Sequence, residues 1–199
     1  MAKGDSDMST EYKDWYNDFS DNQKEIYNIC MKYPFLIPRD IDGSIDEEFE
    51  YKYLSLEIPV GWAKLFLQMC SDIKPLLEKE GVMDDFYFLQ VKEKYNELVC
   101  YSNGAASLEV EQIIQKYKYL SRFVCTECGN PASYETKGYI ASLCGSCFGD
   151  AFISYPIDKL EFISTYEVVG FKDGKSYSRT VDVEDEWNRY LKENGYEPF

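Results

Sequence analysis

The stretch CTECGNPASYETKGYIASLCGSC, residues 125–147, decides the fold of this chain. It contains two C-x2-C pairs separated by fifteen residues. That spacing lets two tight cysteine knuckles, joined by a short hairpin, surround one metal ion. Gly129 follows the first pair and Gly145 lies inside the second, where small residues let backbone approach sulfur. ASYET and YIASL supply the hairpin strands. Cys125, Cys128, Cys144 and Cys147 are therefore expected to hold one structural Zn2+. Two disulfides, a thioredoxin-like redox pair and an iron–sulfur site are the rival readings. Four thiolates fill a tetrahedral zinc and leave no place for water or substrate, so the site reads as a clamp. Its apparent binding free energy, about 10–16 kcal/mol in small zinc modules, becomes folding free energy. Metal removal is then expected to unfold at least residues 123–148.

Upstream, SLEVEQIIQKYKYLSRF (107–123) reads as a helix that feeds straight into Cys125. Ser107 is its expected N-cap, and Leu108, Ile113, Ile114, Tyr117 and Leu120 are expected to face inward. DFYFLQVKEKYNELVCYSNG (85–104) mixes aromatic and β-branched residues around a polar KEKYNE. It reads as a β-hairpin turning near Tyr95–Glu97, with a helix through 88–99 as the rival. GWAKLFLQMCSDIKPLLEKEG (61–81) is the clearest helix, with Trp62, Leu65, Phe66, Met69, Ile73 and Leu76 or Leu77 on one face. Gly81 is its natural stop, and Pro75 predicts a kink or two shorter helices.

Near the start, Tyr12, Trp15, Tyr16 and Phe19 recur at helical spacing. Ser20 and Asp21 are suited to cap a second helix that buries Ile26, Ile29 and Cys30. An ordered loop follows, with Pro34, Pro38 and an Asp42-Gly43 turn. After the cysteines, KLEFISTYEVVGFKDGKSYSRTV (159–181) reads as a hairpin turning at Asp173-Gly174. DVEDEWNRYLKENG (182–195) reads as a short helix capped by Asp182 and closed by Gly195. The expected class is α+β: helices and β-hairpins forming one compact body with an embedded four-cysteine zinc ribbon. Its expected parts are an acidic helix and hairpin body (1–122), the ribbon (123–150) and a C-terminal hairpin and helix packed on the body (151–199).

The 199 residues include 36 acidic and 21 basic side chains, a net charge of −15. Residues 1–60 carry −8, 61–111 carry −4, 112–150 carry +1 and 151–199 carry −4. A chain this acidic repels nucleic acid and attracts basic surfaces. The chain has no histidine, which removes the usual general base and the Ser-His and Cys-His pairs. No apolar run reaches the roughly 20 residues that span a bilayer. The polar, acidic N-terminus lacks the order of a signal peptide, so a cytoplasmic protein is expected. Cys30, Cys70 and Cys100 sit in apolar stretches as free thiols, and the odd count argues against a disulfide framework.

Two surfaces are candidates for binding. Lys116, Lys118, Arg122 and Lys137, interleaved with Tyr117, Tyr119, Phe123, Tyr134 and Tyr139, have the composition of a nucleic-acid face. Their bland reading is a helix packed on a core. Asp42, Asp46, Glu47, Glu48 and Glu50, in IDGSIDEEFEYKY (41–53), could instead imitate a phosphate run and occupy a basic partner, or simply be a solvated loop.

YPFLIPRD (33–40), GW (61–62), QMC (68–70), QVKEKYNEL (90–98) and the cysteine stretch occur in an order that resembles an uncharacterised family of short bacterial and phage-borne proteins. The resemblance spans about residues 33–147. It implies a zinc ribbon joined to a helix-and-hairpin body, in bacteria or their mobile elements, and carries over no activity. Asn96-Glu97 stands where that pattern has Gly-Gly, and Val99 where it has Arg. The expectation is a non-catalytic protein that binds a basic protein such as a nuclease, as an inhibitor or immunity-type protein in a bacterial host. The alternative is a nucleic-acid-binding or transcription-associated ribbon.

Overall fold

The computed structural model describes residues 17–40, 42–46, 49–51, 54, 56–151, 157–172 and 175–197. The aromatic run Tyr12, Trp15 and Tyr16, the carboxylates Glu47 and Glu48 and the turn at Asp173-Gly174 lie outside those residues. The class is α+β, with helices, small sheets and the four cysteines clustered. The chain falls into two compact units, Met1–Ser55 and Leu56–Phe199.

In the first unit, helix α1 (Asp21–Lys32) starts where the sequence places it. The Ser20 side chain accepts from the Gln23 amide while the Gln23 side chain accepts from the Ser20 amide, a reciprocal capping box. Ile26 and Cys30 pack with Phe49. The Asp42-Gly43 turn is closed by a bridge between Arg39 and Ile45, and Gly43 takes the left-handed φ of 86°.

In the second unit, α2 (Ala63–Glu80) buries Leu65, Phe66, Met69, Cys70, Ile73 and Leu77. It is one unbroken helix rather than two, although Pro75 sits inside it. An interior proline costs about 3 kcal/mol, and burying a single large apolar side chain contributes about 1.5–3 kcal/mol. This apolar face therefore outweighs the lost hydrogen bond. Gly81 closes the helix at φ 70°.

Strands β1 (Leu56–Glu57), β2 (Phe88–Glu93) and β3 (Leu98–Ser102) form one sheet, β1 parallel and β3 antiparallel to β2. The β2–β3 hairpin is the preferred reading of 85–104, and the helical rival is excluded. Its turn is a two-residue loop, with Tyr95 at φ 55° and Asn96 at φ 61°. Lys94 and Glu97 exchange backbone hydrogen bonds across it. Asn tolerates the left-handed region, so the loop closes tightly without Gly-Gly.

Helix α3 (Leu108–Leu120) is capped by Ser107, whose side chain accepts from the Val110 amide. Its inward face is Val110, Ile114, Tyr117 and Leu120. Leu108, expected inside, is 66% exposed, because two residues before Val110 is the opposite side of a helix.

The ribbon's β4 (Tyr134–Thr136) and β5 (Ser142–Leu143) pair as expected, and β6 (Ile157–Lys159) adds a third strand. Helix α4 (Gly145–Ala151) begins at the second knuckle. β7 (Thr165–Lys172) and β8 (Lys175–Asp182) form the terminal hairpin. Helix α5 (Glu184–Glu193) buries Trp187, Tyr190 and Leu191. Val183 is its cap residue; Asp182 nonetheless accepts from the Glu184 amide at 2.8 Å. The ribbon is bonded to residues 61–62, 96 and 190 of its unit.

Candidate metal centre

The four cysteines bring their sulfurs within 4.8 Å of one another. A regular tetrahedron with metal–sulfur bonds of about 2.3 Å has edges of about 3.8 Å. The Cys128 and Cys144 sulfurs stand 3.6 Å apart, close to that edge and far from the roughly 2.05 Å of a disulfide. The donor set therefore fits a single metal ion held by four thiolates. Cys125 and Cys144 are buried, Cys147 is half-buried and Cys128 is exposed.

Local backbone makes the knuckles. The Gly129 amide donates to the Cys125 carbonyl at 3.0 Å, with Gly129 at φ 79°. The backbone amide of Asn130 acts to lower the Cys128 thiol, and the amides of Cys147 and Ser146 act to lower that of Cys144. Burial pushes the Cys144 thiol up, but those amides and the neighbouring thiols outweigh it and bring it down to about 7. Cys128 is raised, chiefly by burial, and Cys147 is raised, chiefly through its hydrogen bond with Cys128.

Residues far away in sequence hold the first knuckle. The Gly61 amide donates to the Thr126 carbonyl at 3.0 Å. The Trp62 indole donates to the Val124 carbonyl at 3.1 Å, and Trp62 is wholly buried. The Tyr190 hydroxyl donates to the Gly129 carbonyl at 2.6 Å. A Cβ on Gly61 would run into the Cys125 carbonyl oxygen and lie 2.7 Å from the Gly129 nitrogen. Only glycine allows this approach. Gly145, expected to serve the same purpose, has nothing within 4 Å of where its Cβ would be.

Asn96 joins the β2–β3 turn to the ribbon. It is 1% exposed; its amide nitrogen donates to the Ser142 hydroxyl at 2.7 Å and its oxygen accepts from the Ser142 amide at 3.2 Å. Ser142 in turn donates to the Arg122 carbonyl. Sequence reading missed Asn96, Ser142 and Tyr190 as supports. Of the residues that hold the knuckle, the sequence singles out the GW pair, Trp62 through helical spacing and the pair through resemblance, without linking either to the cysteines.

The other candidates fare differently. Lys116 pairs with Glu186 at 2.6 Å, Lys118 with Glu97 at 3.2 Å and Lys137 with Asp158 at 2.9 Å. Tyr117 and Phe123 are buried, and Tyr119 stacks on Tyr166 at 4.4 Å. The interleaved cations and rings are thus largely engaged within the molecule. In the first unit, Asp42 accepts from the Ser44 amide and hydroxyl in a local turn, and Glu50 lies in the left-handed region at φ 42°. Asp46 donates its amide to the Pro38 carbonyl. The free thiols are inert by comparison: burial pushes Cys30 and Cys100 up to about 12 and Cys70 well above its ordinary value. Among the described residues, no helix is long and apolar enough to cross a membrane.

Comparison with protein-family models, curated proteins and solved structures finds no match to this chain.

Proposed function

We propose that the four thiols hold one zinc ion as a structural clamp, and that the protein acts by binding a basic protein rather than by catalysis. The observation that carries this reading is the first knuckle's packing against Gly61, Trp62 and Tyr190, which ties the metal to the core of its unit. Soft thiolates at tetrahedral spacing suit zinc, and four of them leave no position for a reacting molecule. The absence of histidine from all 199 residues supports the same conclusion. The net charge of −15 and the internal pairing of Lys116, Lys118 and Lys137 favour a protein partner over nucleic acid. With the motif resemblance, this suits an inhibitor or immunity-type protein, in bacteria or their phages, that covers a basic partner such as a nuclease.

Two measurements test it. Metal analysis of the purified protein is expected to give one zinc per chain. A pull-down from bacterial lysate, split into nuclease-treated and untreated halves, is expected to retain the same basic protein in both. Retention that vanishes with nuclease treatment overturns the reading in favour of a nucleic-acid-binding ribbon.

A further inference from the structure

A groove of about 400 Å3 opens beside the first knuckle. Four separate pieces of the second unit wall it: residues 57–60, the β2–β3 turn, the two residues between Cys125 and Cys128, and the ribbon loop at 139–141. Its apolar lining includes Val60, 76% exposed, Tyr139, 65% exposed, and Ile140, 39% exposed. Glu57, Glu93 and Glu127 stand in the same lining. Elsewhere in this unit, carboxylates such as Glu186, Glu97 and Asp158 have lysine partners. These three have no Lys or Arg partner among the described residues. Among the described residues, Glu93 accepts from the Asn96 amide and Glu57 from the Gln90 side chain at 3.4 Å.

We infer that this groove binds a short segment of a protein partner in which an apolar residue is flanked by lysine or arginine. The apolar residue covers Val60 and Ile140 and removes their surface from water. The flanking cations meet three carboxylates that have no cation partner among the described residues. A nucleic-acid phosphate is repelled by the same carboxylates. The inference rests on the protein-binding reading above and gives it a place: a groove with one wall carried by the metal knuckle.

The test is an NMR titration of the full zinc-loaded chain with a heptapeptide of alternating lysine and leucine. Two control peptides replace leucine by serine or lysine by glutamate. Saturable shifts are expected at Val60, Ile140 and Glu127, with affinity at least about tenfold weaker for either control and falling with added salt. The double variant Val60→Ser/Ile140→Ser, at exposed positions, is expected to fold and hold zinc normally while binding the peptide about tenfold more weakly. Shifts confined to other surfaces, equal binding of the serine control, or no shifts at millimolar peptide overturn the groove. The lysate experiment separates this failure from a failure of the broader reading. A basic protein retained equally by wild type and double variant removes the groove and leaves the protein-binding reading standing. Retention of no protein by either removes both.

Discussion

The first and second knuckles have the same C-x2-C spacing, yet distant residues hold them very differently. Cys125–Gly129 receives an amide from Gly61 and a hydroxyl from Tyr190, while a Trp62 indole bond to Val124 lies just before it. In Cys144–Cys147 the helix α4 already begins at Gly145, and the knuckle packs in one cluster with Leu143, Cys125 and Phe148, with Phe148 against Tyr134 at 4.8 Å. A metal held there would fasten the second knuckle to a first knuckle that is bonded into the unit's core, and its binding energy would serve the body as well as the ribbon.

Metal removal is the largest way to break this comparison. Stripping the ion with a chelator is expected to cost a large share of the roughly 10–16 kcal/mol of metal binding, and to abolish a cooperative melt of the second unit in calorimetry. A metal-free form with an unchanged melt contradicts the clamp. Next comes the glycine pair. Gly61→Ala is expected to lower stability by about 3–5 kcal/mol, because its Cβ meets backbone on both sides of the knuckle. Gly145→Ala, in open space, is expected within about 0.5 kcal/mol of wild type or slightly above it. Urea denaturation of the two variants side by side checks the contrast.

Asn96→Ala is expected to cost about 2–4 kcal/mol, since it strands Ser142 and forces a left-handed alanine. Asn96→Gly relieves only the backbone and should recover only part of that loss. Tyr190→Phe deletes a single hydroxyl bond to the first knuckle, for about 1 kcal/mol. Alkaline titration has the broadest and mildest effect. Cys30 and Cys100 are raised to about 12 by burial, from an ordinary value of 9.0. The folded state then keeps protons that the unfolded state has lost, so these thiols contribute stability below about pH 9 that disappears as pH rises towards 12. Melts of Cys100→Ser against wild type across that window are expected to show a shallower loss in the variant.

Features written in local periodicity were legible in the sequence. The apolar stripe from Leu65 to Leu77, the Ser20 and Ser107 caps, the pairing of β4 with β5 and the clustering of the four cysteines all follow from spacing within a local stretch. Leu108 is misplaced by such a reading because a leucine at the first helical position looks apolar whichever way the stripe turns. The supports of the metal site were not legible, because each acts across the chain: Gly61 on Thr126, Asn96 on Ser142, Tyr190 on Gly129. No spacing rule links such pairs. Asn96 in particular resembles a weakened turn, whereas its amide is what joins the turn to the ribbon.

The most direct test follows a single proton, the indole N–H of Trp62, by NMR hydrogen exchange as the metal is removed. That group is wholly buried and bonded to the Val124 carbonyl, immediately before Cys125. The clamp account predicts strong protection in the metal-loaded protein and loss of that protection on chelation, together with the amides of Gly61 and Thr126. Protection at Trp62 that survives chelation while only residues 144–148 open would contradict it, leaving the metal as a local fastener of the second knuckle alone.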